Sequence, residues 1–204
     1  MIEALVHGII LAGGLILPLG VQNLFIFNQG ANQPRFIQAL PSVITAALCD
    51  NLLVILAVLG VSAAVFTFTW LKMILLGIGI VFLLYMGWTT WKNDQSGSLA
   101  SGTSLYGLRK QVLFSLSVSL LNPHAIMDTI VVIGMNSLQY TGSDRMAFTV
   151  AVIAVSWLWF IGLCAVGSLM KKMDKSGDGM RRLNKASAFI IWGTAIYMVW
   201  RLFH

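Results

Sequence analysis

Six stretches of this chain stay apolar for about twenty residues, near positions 4–27, 40–66, 71–91, 111–134, 146–169 and 186–203. A run of that length matches the ~30 Å hydrocarbon core of a bilayer at about 1.5 Å per helical residue. Lipid offers no partner to an unpaired N–H or C=O, so a segment that spans it closes its hydrogen bonds internally, and for runs this long that means α-helices. Hydrophobic residues make up 58% of the 204 positions and charged residues 10%, which leaves no stretch for a separate soluble domain. The first run carries Glu3, has no basic residue ahead of it and exceeds a signal-peptide core, so it reads as a retained span.

The formal charge of +6 reports orientation and not a nucleic-acid partner. With six spans, Arg35, Lys92, Arg109, Lys110, Lys171, Lys172, Lys175, Arg181, Arg182 and Lys185 fall on one side, and Lys72, Arg145 and Arg201 on the other. The positive-inside rule places the first group in the cytoplasm and both termini outside it. Trp70, Trp88, Trp91 and Trp200 sit near span ends, where an indole anchors at the interface. The Gly/Ser-rich segment 93–107 is a linker that divides the spans three and three, giving one repeat over 1–92 and a second over 108–204 within a single transmembrane domain.

A shift of 105 positions sets Pro18 on Pro123 and Asn23 on Asp128. Each proline lies in the first span of its half and is followed five residues later by a polar side chain. A unit with an odd number of spans returns in the opposite orientation, so the expected fold is all-α: six transmembrane helices as two inverted three-helix repeats with proline-interrupted first helices. Proline removes a donor and displaces the preceding turn, which frees the Gly14 and Ser119 carbonyls. The helix restarting after Pro18 presents N–H groups around Leu19, Gly20 and Val21 to an anion such as a carboxylate. Gly20 leaves room for close approach, and Gln22 and Asn23 add neutral donors and acceptors in the next turn.

Five of the seven acids lie at ends or in loops; Asp50 and Asp128 lie deep in spans, where no basic residue is placed to pair with them. Uncompensated carboxylates at such depth mark substrate or proton pathways. If the two share a poorly solvated chamber they cannot easily both ionise, so one would hold a proton and a cationic substrate would compete for the same sites. His124, Ser156, Trp157 and Trp159 are weaker candidates; the two tryptophans point about 200° apart on a helix, so one at most faces a central site. Cys49 and Cys164 read as small packing residues and lack the clustering a soft metal needs. Gly77, Gly162 and Gly167 read as helix-packing positions. There is no HExxH, GxSxG or CxxC pattern, so neither an enzyme, a metal centre nor a bound cofactor is expected.

The segments ILPLGVQNLFIFNQG (16–30) and LLNPHAIMDTIVVIG (120–134), with Asp50 and SWLWFIGL (156–163), resemble the LysE-type exporters of lysine and arginine over essentially the whole chain. Val21 departs from the family, which commonly has a second proline there. The resemblance implies a multi-pass carrier of the bacterial inner membrane that moves L-lysine or L-arginine outward, driven by protons and often as a homo-oligomer. Relatives in the wider superfamily export homoserine, threonine, leucine or cadmium, which leaves neutral amino acids or a cation as the alternative cargo. The residues expected to bind substrate or protons are Asp50, Asp128, Asn23, Gln22, Gly20, Pro18, Asn122 and Pro123.

Cysteines introduced at 174–178, beside six of the ten basic residues on the crowded side, are expected to react with an impermeant thiol reagent from the cytoplasmic face only. Labelling from the periplasm would reverse the orientation.

Overall fold

In the computed structural model the described residues are 1–17, 20–60, 69–92, 107–121, 126, 128–173 and 178–203. Those in regular structure are helical. The order is α1 (Ile2–Ile16), α2 (Val21–Asn32), α3 (Phe36–Val58), α4 (Thr69–Lys92), α5 (Leu108–Leu120), a π-helical segment (Asp128–Ile133) running into a short α6 (Gly134–Ser137), α7 (Gly142–Met173) and α8 (Asp178–Phe203). Among the described residues, α3 and α7 each have the length and apolarity to cross a membrane, and so does the α1–α2 pair if taken as one span.

The α1 and α2 axes meet at 81°. A bend of that size could turn the chain back to the face it entered from, but the neighbours of the two helices argue for a crossing. A Cβ on Gly8 of α1 would meet the Phe148 carbonyl near the start of α7, and the N-terminal ammonium pairs with Asp144 at 2.8 Å. At the far end of α2, the Lys171 ammonium donates to the Gln33 carbonyl at 3.0 Å. Phe148 and Lys171 lie ~35 Å apart along α7 at about 1.5 Å per residue, more than the hydrocarbon thickness. The broken pair therefore accompanies α7 through its whole length in the same direction. α5 and the π segment with α6 accompany α3 likewise: the Ser42 hydroxyl donates to Gln111 at 3.3 Å and Ser115 donates to the Ser42 carbonyl at 3.1 Å, while Gly134 lies against Ala57 near the end of α3.

α2 is the centre of the bundle. It packs against α7, α3, α8 and α5, and Val21 through Ile26 and Asn28 through Ala31 are all buried. The crossing with α7 is tight because glycines face backbone: Gly30 lies on the Cys164 carbonyl, and Gly167 on the Phe27 carbonyl and the Ala31 amide. Cys49 and Cys164 are buried free thiols, as expected of packing residues. Gly77 and Gly162, by contrast, have open space where a Cβ would go, so among the described residues Gly167 is the one of the three expected packing glycines in close contact.

The long helices differ from the apolar runs at their ends for local reasons. α3 starts ahead of Pro41, whose carbonyl takes the Thr45 hydroxyl at 2.7 Å. It stops at Leu59 because Gly60 adopts a left-handed conformation, φ 76°, the usual helix terminator, although apolar residues continue to about 66. α8 begins at Asp178, eight residues before its apolar run, so the basic loop enters helix before the chain enters the apolar layer. Lys92 lies 4.8 Å above the Trp88 ring and Lys185 5.4 Å from Trp91, an aromatic-cation belt at the end of α4.

Replacing Gly30 or Gly167 by valine forces side chain into backbone. Overpacking of this kind costs about 1–3 kcal/mol or more, so both variants are expected to lose thermal stability in detergent, followed by size-exclusion of a fluorescent fusion. Gly77→Ala is expected to melt like the parent.

Candidate functional site

The site is assembled at the break between α1 and α2. α1 ends at Ile16, and the Asn23 amide donates to the Ile16 carbonyl at 2.8 Å. A carbonyl left over at a helix end inside the bilayer needs such a partner, and a side chain in the first turn of the next helix supplies it. Asn23 therefore ties the two half-helices together. Gly20 is the N-cap of α2 with an extended backbone, φ −76° and ψ 175°, and no side chain caps the helix. The first internal bond runs from the Leu24 amide to the Gly20 carbonyl at 3.1 Å, so the N–H groups of Val21, Gln22 and Asn23 have no carbonyl within α2. All three residues are buried.

The adjacent side chain carries charge chemistry. Gln22 donates through Nε2 to Asp50 Oδ1 at 3.0 Å, and Ser156 of α7 stands close enough for its hydroxyl to bond the same carboxyl. Asp50 lies on α3 opposite the face of Leu48, Leu52 and Ile55, which are 55%, 50% and 44% exposed and form the lipid side. It keeps partial exposure although it points inward. Next to it, the Trp157 indole donates to Asn51 Oδ1 at 3.3 Å. Trp159 packs against the central apolar cluster, and its indole nitrogen is buried without a hydrogen-bond partner among the described residues.

Of the residues expected to form the site, the fold joins Gln22 to Asp50 directly and sets Gly20 and Asn23 in the same turn of α2. Asp128 opens the π-helical segment, which packs against α3, the helix that carries Asp50. Its side chain lies outside the described residues, as do Pro18, Asn122, Pro123 and the weaker candidate His124. A π-helical turn is rare and concentrates at functional sites; apolar periodicity gives no signal for it. Asn51 follows Asp50 in sequence and could have been weighed with it. Gln29 and Gln33 were also overlooked: they lie seven and eleven positions after Gln22, hence on its face of α2, and are 2% and 5% exposed. Among the described residues no cluster of His, Cys, Asp or Glu could hold a metal ion.

Comparison with known proteins places this geometry. The chain is 50% identical over 201 residues to the protein named "Putative amino-acid transporter YisU" of Bacillus subtilis (strain 168), covering 98% of this chain and 91% of that one. It is 30% identical over 204 residues to the arginine exporter protein ArgO of Serratia proteamaculans (strain 568), covering 98% of each. It is 31% identical over 195 residues to ArgO of Shigella flexneri, covering 94% of this chain and 91% of the relative. No solved structure matches. The LysE type translocator family matches residues 14–201, nearly the whole chain, and the protein belongs to that family.

Proposed function

We propose that this protein is a secondary transporter that exports basic amino acids, L-arginine or L-lysine, from the cytoplasm across the inner membrane in exchange for protons. The observation that carries the reading is the contact of Gln22 with Asp50 at the buried, uncapped start of α2. An amino acid offers a carboxylate and one or two cations. The uncapped N-terminus of α2, which opens with Val21 and Gln22, suits the carboxylate through its dipole. Asp50 suits a cation, bidentate with a guanidinium or as a point charge with an ammonium. Asp128 supplies a second acid from the other break. Because a cation and a proton compete for one carboxyl, binding of cargo releases protons and protonation releases cargo. The relatives named arginine exporters span the whole chain, which supports arginine.

The carrier plan behind this reading is six spans in two inverted repeats, 1–92 and 108–204, joined by the 93–107 linker. A shift of 105 positions moves Ile2–Ile16 onto 107–121, beside Leu108–Leu120; Phe36–Val58 onto 141–163, where α7 begins at Gly142; and Thr69–Lys92 onto 174–197, beside Asp178–Phe203. Several of the main packing contacts follow the same exchange. α1 and α2 lie on α7 as α5 and the π segment lie on α3, and α3 pairs with α7 as α4 pairs with α8. Gly30 on Cys164 corresponds, within two positions, to Gly134 on Ala57. Within this plan Pro18–Gly20 and Asn122–Pro123 are the two ion-recognising backbone ends, Gln22 and Asn23 orient the site, and both termini lie outside the cytoplasm. The N-terminus and the first turn of α7 meet through the Met1–Asp144 ion pair, which supports that parity.

Counterflow of labelled arginine, lysine, threonine and leucine in proteoliposomes, with and without a pH gradient, tests the cargo. Arginine or lysine is expected to exchange, faster with the gradient; exchange of threonine or leucine alone would overturn the basic cargo. Asp50→Asn and Asp128→Asn are each expected to lower basic amino-acid flux by roughly two orders of magnitude while leaving insertion intact, since loss of one member of a buried charge pair costs about 2–5 kcal/mol. Parental rates would remove that acid from the mechanism.

A further inference from the structure

α1 and α5 each lie lengthwise on a long helix, and the two contacts are made of different side chains. α1 turns Ala4, Gly8 and Ala12 inward: Gly8 lies on the Phe148 carbonyl and Ala151 of α7, and Ala4 and Ala12 share a buried cluster with Phe148 and Val152. α5 buries Gln111, Ser115 and Ser119 at the same spacing of four, against α3. The Ser42 hydroxyl donates to Gln111 Oε1 at 3.3 Å and the Ser115 hydroxyl to the Ser42 carbonyl at 3.1 Å. Ser119, one turn further, stands beside the Cys49 thiol. It is 1% exposed, and its Oγ has no hydrogen-bond partner among the described residues. Cys49 directly precedes Asp50 on α3.

Packing does not call for these hydroxyls. α1 makes the corresponding contact with small apolar residues, and a polar side chain in a membrane interior is costly where packing alone is required. A serine in a helix commonly settles its hydroxyl on the carbonyl four residues back, as Ser117 does on Leu113 at 2.8 Å; Ser119 does not. The seam also has a direction. Arg109 and Lys110 precede Gln111, and Arg35 precedes α3, so its shallow end lies at the basic loops and Ser119 lies ~12 Å deeper at about 1.5 Å per residue. At the deep end Asp50 is faced by Gln22 of α2 and Ser156 of α7, with Cys49 beside it on its own helix. The π segment that carries Asp128 packs against the same helix, and among the described residues no cation pairs with Asp50.

We propose that the α3–α5 seam is a water path between Asp50 and the cytoplasm, and that the Asp50 proton leaves along it while the cargo takes another way. The inference rests on the proposed proton exchange and names the route of one of its two partners. Side chains bonded across the seam at 3.1 and 3.3 Å leave no room for an amino acid, whereas a proton needs only a line of hydrogen-bonded oxygens. Ser115 and Ser119 are one turn or ~6 Å apart, a gap that water bridges at ~2.8 Å per hydrogen bond, and the open Ser119 Oγ offers that water a partner. When a cation reaches the site, the Asp50 carboxyl passes its proton to a water. The excess charge moves past Ser119, Ser115, Ser42 and Gln111 to the cytoplasm, and the carboxylate left behind pairs with the cation.

Two measurements test it. In a background lacking Cys164, silver ion added at the cytoplasmic face is expected to block Cys49 against later labelling of the denatured protein by a fluorescent maleimide, while a bulkier methanethiosulfonate leaves it free. With Cys49 also removed, Ser115→Cys is expected to behave the same way, and Leu113→Cys, on the exposed face of the same helix, to stay unblocked. Thiols at 49 and 115 that stay free, or that silver reaches from the periplasm only, overturn the path; reaction with the bulky reagent would overturn its restriction to protons. In proteoliposomes, Ser115→Ala and Gln111→Leu are expected to slow arginine efflux driven by a pH gradient roughly fivefold, the scale of one lost hydrogen bond, with Ser115→Thr restoring it. Arginine–arginine exchange, which releases no net proton, is expected to keep the parental rate and KM. Equal losses in both modes would mean a merely structural role and overturn the inference. Silver access in a protein that exchanges threonine and not arginine would refute the proposed cargo and leave the path standing, whereas a pH gradient without effect on the parent would overturn the proton exchange and the role of the path together.

Discussion

A peptide group inside a bilayer must find a hydrogen-bond partner, and the whole arrangement follows from where this chain leaves some of them out of a helix. α1 stops at Ile16 and α2 starts at Val21, so carbonyls at one end and amides at the other are stranded at depth. Lipid cannot sit there. The stranded groups can only be enclosed by protein or by a polar ligand, which explains why α2 is surrounded by four other helices and why Asn23 reaches back to the Ile16 carbonyl. A straight first helix would need none of this enclosure, and would have nothing to offer a carboxylate.

Enclosing a half-helix so closely requires backbones to approach, and small residues allow it. Gly30 and Gly167 bring α2 and α7 together until each touches the other's main chain. In membranes, where apolar side chains gain little by leaving lipid for protein, such close van der Waals approach is a principal source of helix association. The same contact aligns Ser156 and Trp157 of α7 with Asp50 and Asn51 of α3. Packing and chemistry are thus set by one crossing: α7 clamps α2 and completes the polar group around the carboxylate.

Much of this was legible in the sequence, and what was not has physical causes. Apolar runs gave the helices because span length is fixed by bilayer thickness. The acid at 50 stood out as a candidate because a carboxylate is costly in a membrane without a purpose; Pro18 and Pro123, expected to mark the breaks, lie outside the described residues. The Gln22–Asp50 contact joins residues 28 apart; the sequence supplied both members as candidates and their contact only through the fold. Run length misjudged the end of α3, since a single glycine at φ 76° outweighs the apolar residues after it. The π-helical turn at Asp128 has no compositional mark. Gln29 and Gln33 were visible, but a glutamine in an apolar run signifies little until α2 is known to be buried on every side.

The faces of α2 divide the work between packing and polar contact. Gly30 and Ala31 are taken up by α7, where backbone meets backbone, and Val21, Leu24 and Phe25 go to the apolar cluster they share with Ile191 and Ala195 of α8. Gln22 projects from another face of the same helix and reaches Asp50 on α3. Because the close crossing and the contact with the acid draw on different positions, the small residues that α7 requires do not displace the amide that meets the carboxylate. A helix with one buried face would have to choose between them; one enclosed by four neighbours does not.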